Sequence, residues 1–277
     1  LSAIATRGAF LRLADPVSCA VSARELVWAL TRQRIVLRYR GSVLGVVWSV
    51  LSPALTLGIF TFVFGVMLRP RWSPESTDTT EFALLLYLGL CVFWFVSECV
   101  SESPSLIANH SPYVKKVVFP LEILPWVSVS NALFHTAIRL VVYFAAAALL
   151  APSPTWTAVL VPLVFVPLCL STLGVCWILA AAGVFLRDLG EIVSLILTAL
   201  LFLSPVFYSI DSVPESLRFL ILANPISLPV DQLRDVAYRG ALPDPTTWAA
   251  LTGVSYALAW SGSAIFRRAR SAFADVV

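Results

Sequence analysis

FALLLYLGLCVFWFVSECV, residues 82–100, reads as a helix that crosses a membrane. No charged residue interrupts it from Phe82 to Ser97, and Glu98 arrives only near its end. Its 19 residues, at about 1.5 Å of helical rise each, cover the roughly 30 Å of a bilayer's hydrocarbon core. Working outward, similar apolar runs lie at about 44–67, 122–150, 156–186, 192–208 and 247–266. The expected fold is all-α: a polytopic membrane protein with six transmembrane helices and little room for a soluble domain. Composition agrees, because 59% of the 277 residues are hydrophobic and only 13% are charged, against about a quarter charged in a soluble chain. Pro53 falls inside the first span, where a kink is better tolerated than in a soluble helix.

The connections set the orientation. Seven arginines precede the first span, and Lys115, Lys116, Arg187, Arg267, Arg268 and Arg270 fall on the same side when connections alternate. The opposite side carries Arg69, Arg71, Arg218, Arg234 and Arg239, with eight acidic residues. The positive-inside rule makes the first side cytoplasmic, so both termini are expected inside a bacterial plasma membrane. Residues 1–23 show no basic region followed by an apolar core and a cleavage site, so they read as a cytosolic segment. Residues 24–43 mix Leu26, Trp28, Leu30, Ile35 and Leu37 with Arg24, Arg32, Arg34, Arg38 and Arg40. That mixture is too charged to span and suits an amphipathic helix at headgroup level, an ordinary cytosolic helix being the alternative. Residues 209–246 carry two short helical patterns, near 214–222 and 226–238, expected at the outer surface; in the second, Val230, Leu233 and Val236 share a face while Asp231, Arg234 and Asp235 fall on others. Residues 269–277 form a cytosolic tail.

Few residues could carry chemistry inside the spans. His135 and Arg139 lie one turn apart on the third, and intramembrane charge is a functional hypothesis by default; pairing of Arg139 with a neighbouring helix is the plainer reading. Glu98 and Glu122 sit near cytosolic ends, not at mid-membrane as a proton-coupled carrier would want. The five cysteines form no CxxC pair, and neither His110 nor His135 has neighbours at metal spacing, so no metal site is expected. No Ser-His-Asp, HExxH or paired-acid arrangement supports a membrane enzyme. The net charge of +3 does not point to nucleic acid. Lys115 and Lys116 follow no glycine-rich phosphate loop, so an ATP-driven transporter would need its ATPase on another chain. Aromatics are abundant: some mark interfacial belts, while Trp48, Phe60, Phe64, Phe202, Phe207 and Tyr208 run along the first and fifth helices. Such faces could stack on sugar rings in a pore or simply pack on lipid and other helices. Ser49 and Ser52 are candidate pore-facing hydroxyls beside Trp48.

Four stretches then carry a resemblance: RQRIVLRYRGSVLGVVWSVLSPAL at 32–55, ANHSPYVKKVVFPLEILPWVSV at 108–129, FLRDLGEIVSLILTALLFLSPVFYSIDSVPESLRFLILANP at 185–225, and PVDQLRDVAYRGALPD at 229–244. The chain resembles the membrane-spanning permeases of ABC transporters that export polysaccharides such as O-antigen, capsule and teichoic acid, over about residues 24–268. Leu121 departs from the pattern, since relatives often have Arg there. The resemblance implies a permease with no enzymatic activity of its own, two copies of this chain and two ATP-binding cassette ATPase subunits, with ATP and Mg bound by those partners and no cofactor on this chain. It implies a coupling helix within 101–120 that docks on the ATPase, for which His110, Tyr113, Lys115, Lys116 and Glu122 are the candidates. It also implies a channel entrance near Arg38, Arg40, Leu44 and Gly45, a pore between the first and fifth helices of the two copies, and a lipid-linked polysaccharide as cargo. A related ABC exporter of a drug or small lipid is the alternative.

Overall fold

The computed structural model describes residues 16–40, 45, 47–68, 79–110, 119–150 and 155–276. Every element among them is helical. The short α1 (Pro16–Ser22) leads into α2 (Arg24–Tyr39), and then come α3 (Val47–Phe62), α4 (Thr79–Glu102), α5 (Leu124–Leu150), α6 (Val161–Gly183) and α7 (Leu189–Leu203). Two short helices, α8 (Glu215–Ala223) and α9 (Ser227–Arg234), precede the long α10 (Pro245–Val276).

The sequence of α4 explains its place. A helix apolar on all sides has no face to give to water, so it takes the centre. Ala83, Leu86, Tyr87, Leu88, Cys91, Val92 and Phe95 are all fully buried. Helices α3, α5, α6, α7 and α9 pack around it.

Among the described residues, four stretches are long and apolar enough to cross a membrane: Thr80–Ser105, Leu121–Leu150, Trp156–Gly183 and Pro245–Phe273. The expected first and fifth spans are shorter apolar helices, Val47–Phe62 and Leu189–Leu203. The first continues as a π-helical turn, Val63–Leu68. The fifth, expected to reach residue 208, stops at Leu203: Pro205 follows, and a residue before proline is pushed out of the helical region, as Ser204 is at ψ 152°. The last helix, expected to end at residue 266 with a tail from 269, instead runs on through Arg267, Arg268 and Arg270. Arg270 holds it there, donating to the Glu122 carboxylate at 2.7 Å and the Phe119 carbonyl at 3.1 Å.

Helices α6 and α10 form the most extensive pairing, and glycine permits it. A Cβ added at Gly174 would lie 2.7 Å from the Leu258 carbonyl, and one added at Gly262 would run into the Gly174 carbonyl. Small residues at such crossings let membrane helices approach backbone to backbone. At its N-terminal end α10 is capped by Asp244, which accepts from the Thr247 amide at 2.8 Å and from both the Thr246 and Thr247 hydroxyls. These donors hold its carboxyl well below the usual carboxylate range.

Candidate functional site

The site starts from a register match between α2 and α4. Arg34 and Arg38 are one turn apart on α2, and Glu98 and Glu102 are one turn apart on α4. Arg34 meets Glu102 at 2.8 Å and Arg38 meets Glu98 at 3.0 Å. Helix α2 is thereby fastened to the central helix α4 at two successive turns.

Helix α5 adds a third row. Ser128, Asn131, His135 and Arg139 recur at spacings of three and four, which places them along one helical face. Ser128 accepts from Arg34 at 3.2 Å. The other three converge on Glu98: Asn131 Nδ2 donates at 3.2 Å, His135 Nδ1 lies 2.5 Å away and Arg139 Nη2 lies at 3.4 Å. One carboxylate therefore holds two guanidiniums, an imidazole and an amide. That arrangement is what a buried charge requires, because an unpaired ion at low dielectric is costly. Arg139 also lies over the Trp94 ring, 5.4 Å from its centroid, a cation–π placement. His135 Nε2 and Asn131 Oδ1 are buried with no hydrogen-bond partner among the described residues.

This cluster forms one wall of a cleft of about 360 Å³. Arg38, His135 and Arg139 line it, with Trp94 beside them, while Trp48, Ser49, Ser52, Pro53 and Thr56 of α3 face them across it. Trp48 is 43% exposed and Ser49 is buried. Cations, hydroxyls and indole faces thus share one concavity, a combination suited to an anionic group joined to a sugar.

The remaining residues singled out from the sequence separate. Phe60 of α3 and Phe64 of the π-helical turn contact in series, with tilted rings, onto Phe82 of α4, at 6.1 and 5.2 Å between centroids, so they pack on the core and not in this cleft. Phe202 is 64% exposed and stacks on Phe207 at 5.9 Å, and the Tyr208 hydroxyl donates to the Phe202 carbonyl. Gly45 occupies a turn at φ 50°, a left-handed conformation that favours glycine. Arg40 is the exposed residue that ends α2. Leu44, Tyr113, Lys115 and Lys116 lie outside the described residues. His110 closes a 3₁₀ turn with Nδ1 2.7 Å from the Leu106 carbonyl. Glu122, expected on a docking surface, is turned inward: its side chain is 15% exposed and paired with Arg270, because the continued helix α10 brings that cation to it.

Sequence reasoning also misplaced Arg234. It was expected off the apolar face of its short outer helix, yet it is 1% exposed. Its guanidinium donates to three backbone carbonyls, Leu85 at 3.0 Å, Pro205 at 2.6 Å and Val206 at 2.9 Å. Gly89 makes the room, since a Cβ there would lie 2.9 Å from Nη2 of Arg234. The available signal was Pro205, whose helix break leaves carbonyls in need of donors.

The family model described as ABC-2 type transporter matches residues 25–238. The chain is 32% identical over 256 residues to the O-antigen export system permease protein RfbA of Myxococcus xanthus, covering 92% of this chain and 96% of that one. A protein of the same description from Klebsiella pneumoniae is 28% identical, with 91% and 95% covered. The polysialic acid transport protein KpsM of Escherichia coli is 23% identical, with 87% and 92% covered.

Proposed function

Since this chain belongs to the ABC-2 type transporter family, we propose that it is the permease of an ATP-driven exporter that moves a lipid-linked polysaccharide out of the cytoplasm. In this reading α3 and α7 count as spans, giving six, with both termini inside the plasma membrane. Two copies of the chain enclose a channel, and two ATPase subunits bind ATP and Mg and dock on the loop that contains His110, Tyr113, Lys115 and Lys116. The base of that loop is firm: Ser103, Leu106 and Ile107 are buried, and a Cβ at Gly183 would collide with the Pro104 carbonyl. A firm base suits a loop that must transmit force. Exposed apolar side chains on α3 and α7, including Val50, Ile59, Ile192 and Leu195, leave both helices with surface to give to a second copy.

The observation that carries the reading is the cleft where Arg38, His135 and Arg139 face Trp48, Ser49 and Ser52. A lipid pyrophosphate offers guanidiniums the planar, bidentate acceptors they prefer, and the first sugars would lie against the indoles and hydroxyls. Glu98 supplies the same kind of acceptor from within the chain. It offsets part of the charge of Arg38 and Arg139 and gives up Arg38, whose side chain is 54% exposed, to an incoming phosphate.

The test is co-purification with the neighbouring ATPase, followed by ATP turnover in nanodiscs with and without lipid-linked glycan. A two-plus-two complex whose turnover rises with the glycan supports the reading. A complex that ignores the glycan but responds to a drug or short lipid favours the alternative cargo. A chain that binds no ATPase and transports without nucleotide overturns both.

A further inference from the structure

Helix α2 carries two pairs of arginines, and they serve different surroundings. Arg34 and Arg38 are taken up by Glu102 and Glu98. Arg24 and Arg32 are exposed and have no hydrogen bond or ion pair to any described residue. They are not scattered: Arg24, Trp28, Thr31, Arg32 and Ile35 recur at helical spacing along one face. That face borders a groove of about 510 Å³ whose far wall is Ser130, Leu133 and Phe134 of α5.

The groove does not stop there. Leu133 also lines a second groove of about 590 Å³ between α5 and α6, which continues past Leu140, Phe165 and Val166 and is almost wholly apolar. From Leu133 to Leu140 it follows α5 for about 10 Å. Two unpaired cations on a surface helix therefore stand over one end of a long apolar trough. The trough lies on the face of α5 opposite His135 and Arg139, so it is separate from the cleft of the proposed transport path.

We propose that this compound groove binds an anionic glycerophospholipid of the cytosolic leaflet, with its phosphate between Arg24 and Arg32 and one acyl chain along Leu133, Leu140 and Val166. Charge complementarity identifies the headgroup, since basic residues beside a leaflet attract anionic lipid. Continuity through Leu133 identifies the tail, because a soluble anion would have no use for the trough. The inference rests on α2 lying at the membrane surface and not on which glycan is exported.

The full chain, purified in mild detergent, would be examined by native mass spectrometry with added phosphatidylglycerol or with phosphatidylethanolamine of the same chains. The expected result is a preference for phosphatidylglycerol of about tenfold. Arg24→Gln with Arg32→Gln should bring the two lipids to parity, and Arg24→Lys with Arg32→Lys should keep most of the preference. Leu133→Trp, which fills the junction of the grooves, should reduce retention of both lipids. Equal binding of the two lipids by the wild-type chain overturns the proposal, as does an unchanged preference in the double Gln variant. So does a Leu133→Trp chain that keeps its lipid but falls from dimer to monomer, which would make the groove an interface between copies. No transport is read, so failure here leaves the export reading standing, and failed export with intact lipid selectivity leaves this one standing.

Discussion

Arg38 and Arg234 meet α4 near its two ends, at Glu98 and Leu85, and are held in opposite ways. Arg38 reaches a carboxylate that it shares with His135, Asn131 and Arg139, and its side chain is 54% exposed beside an open cleft. Arg234 is sealed in and bound by three backbone carbonyls from two segments. A carboxylate can be exchanged for another anion, since phosphate offers the same acceptor geometry. A set of main-chain carbonyls has no mobile substitute. Arg38 is therefore suited to exchange partners and Arg234 to keep them: Arg234 locks α9 to α4 and to the break that follows α7.

The largest effect should come from breaking the Arg234 lock. Arg234→Met leaves the Pro205 and Val206 carbonyls short of donors, at a cost of at least about 3 kcal/mol. The purified protein should lose thermal stability sharply, and the segment 209–246 should become open to protease. Arg234→Lys, with a single ammonium in place of a fork, should fall between. A wild-type Tm for Arg234→Met would remove the lock.

Next comes Glu98→Gln, which leaves Arg139, 16% exposed, without its carboxylate. Stripping one member from such a cluster is expected to cost about 2 kcal/mol, because the other charge stays behind. The sharper form is the double variant Glu98→Gln with Arg139→Met, whose Tm should recover toward wild type. If the double variant is less stable than Glu98→Gln alone, Glu98 does not balance Arg139 in the way described.

Arg38→Ala with Arg40→Ala should leave assembly and Tm nearly unchanged while export falls about tenfold, the loss of about one charge-assisted hydrogen bond to phosphate. Unchanged export takes both residues out of the path. Smallest is the Arg34–Glu102 pair, with side chains 27% and 35% exposed. A double-mutant cycle should return less than about 1 kcal/mol. A larger coupling would mean that α2 is clamped to α4 more firmly than a half-exposed pair allows.

Much of the architecture was legible because it depends on composition along one stretch at a time. The unbroken apolar run at 82–100 places α4 in the centre without knowledge of its neighbours. Trp48, Ser49 and Ser52 could be named together because three and four residues along a helix share a face. The hub at Glu98 was only half visible: the spacing of His135 and Arg139 can be read, but not which acid on another helix they meet. Arg234 was hidden for a different reason. Its partners are carbonyls, which every residue owns, so no side chain in the sequence announces them. The pairing of Glu122, named for ATPase docking, was hidden because nothing local says that α10 continues far enough to bring Arg270 to it.

The contact between α6 and α10 has a consequence for inheritance. Every single substitution at position 174 or 262 adds at least one carbon to a crossing that has space for none. Most of the molecule can drift by small exchanges, a leucine for a methionine or a valine for an isoleucine, with partial loss and later repair. These two glycines have no such neighbouring state. A lineage must keep both or part the helices in one step, so this crossing should be among the slowest-changing points of the protein.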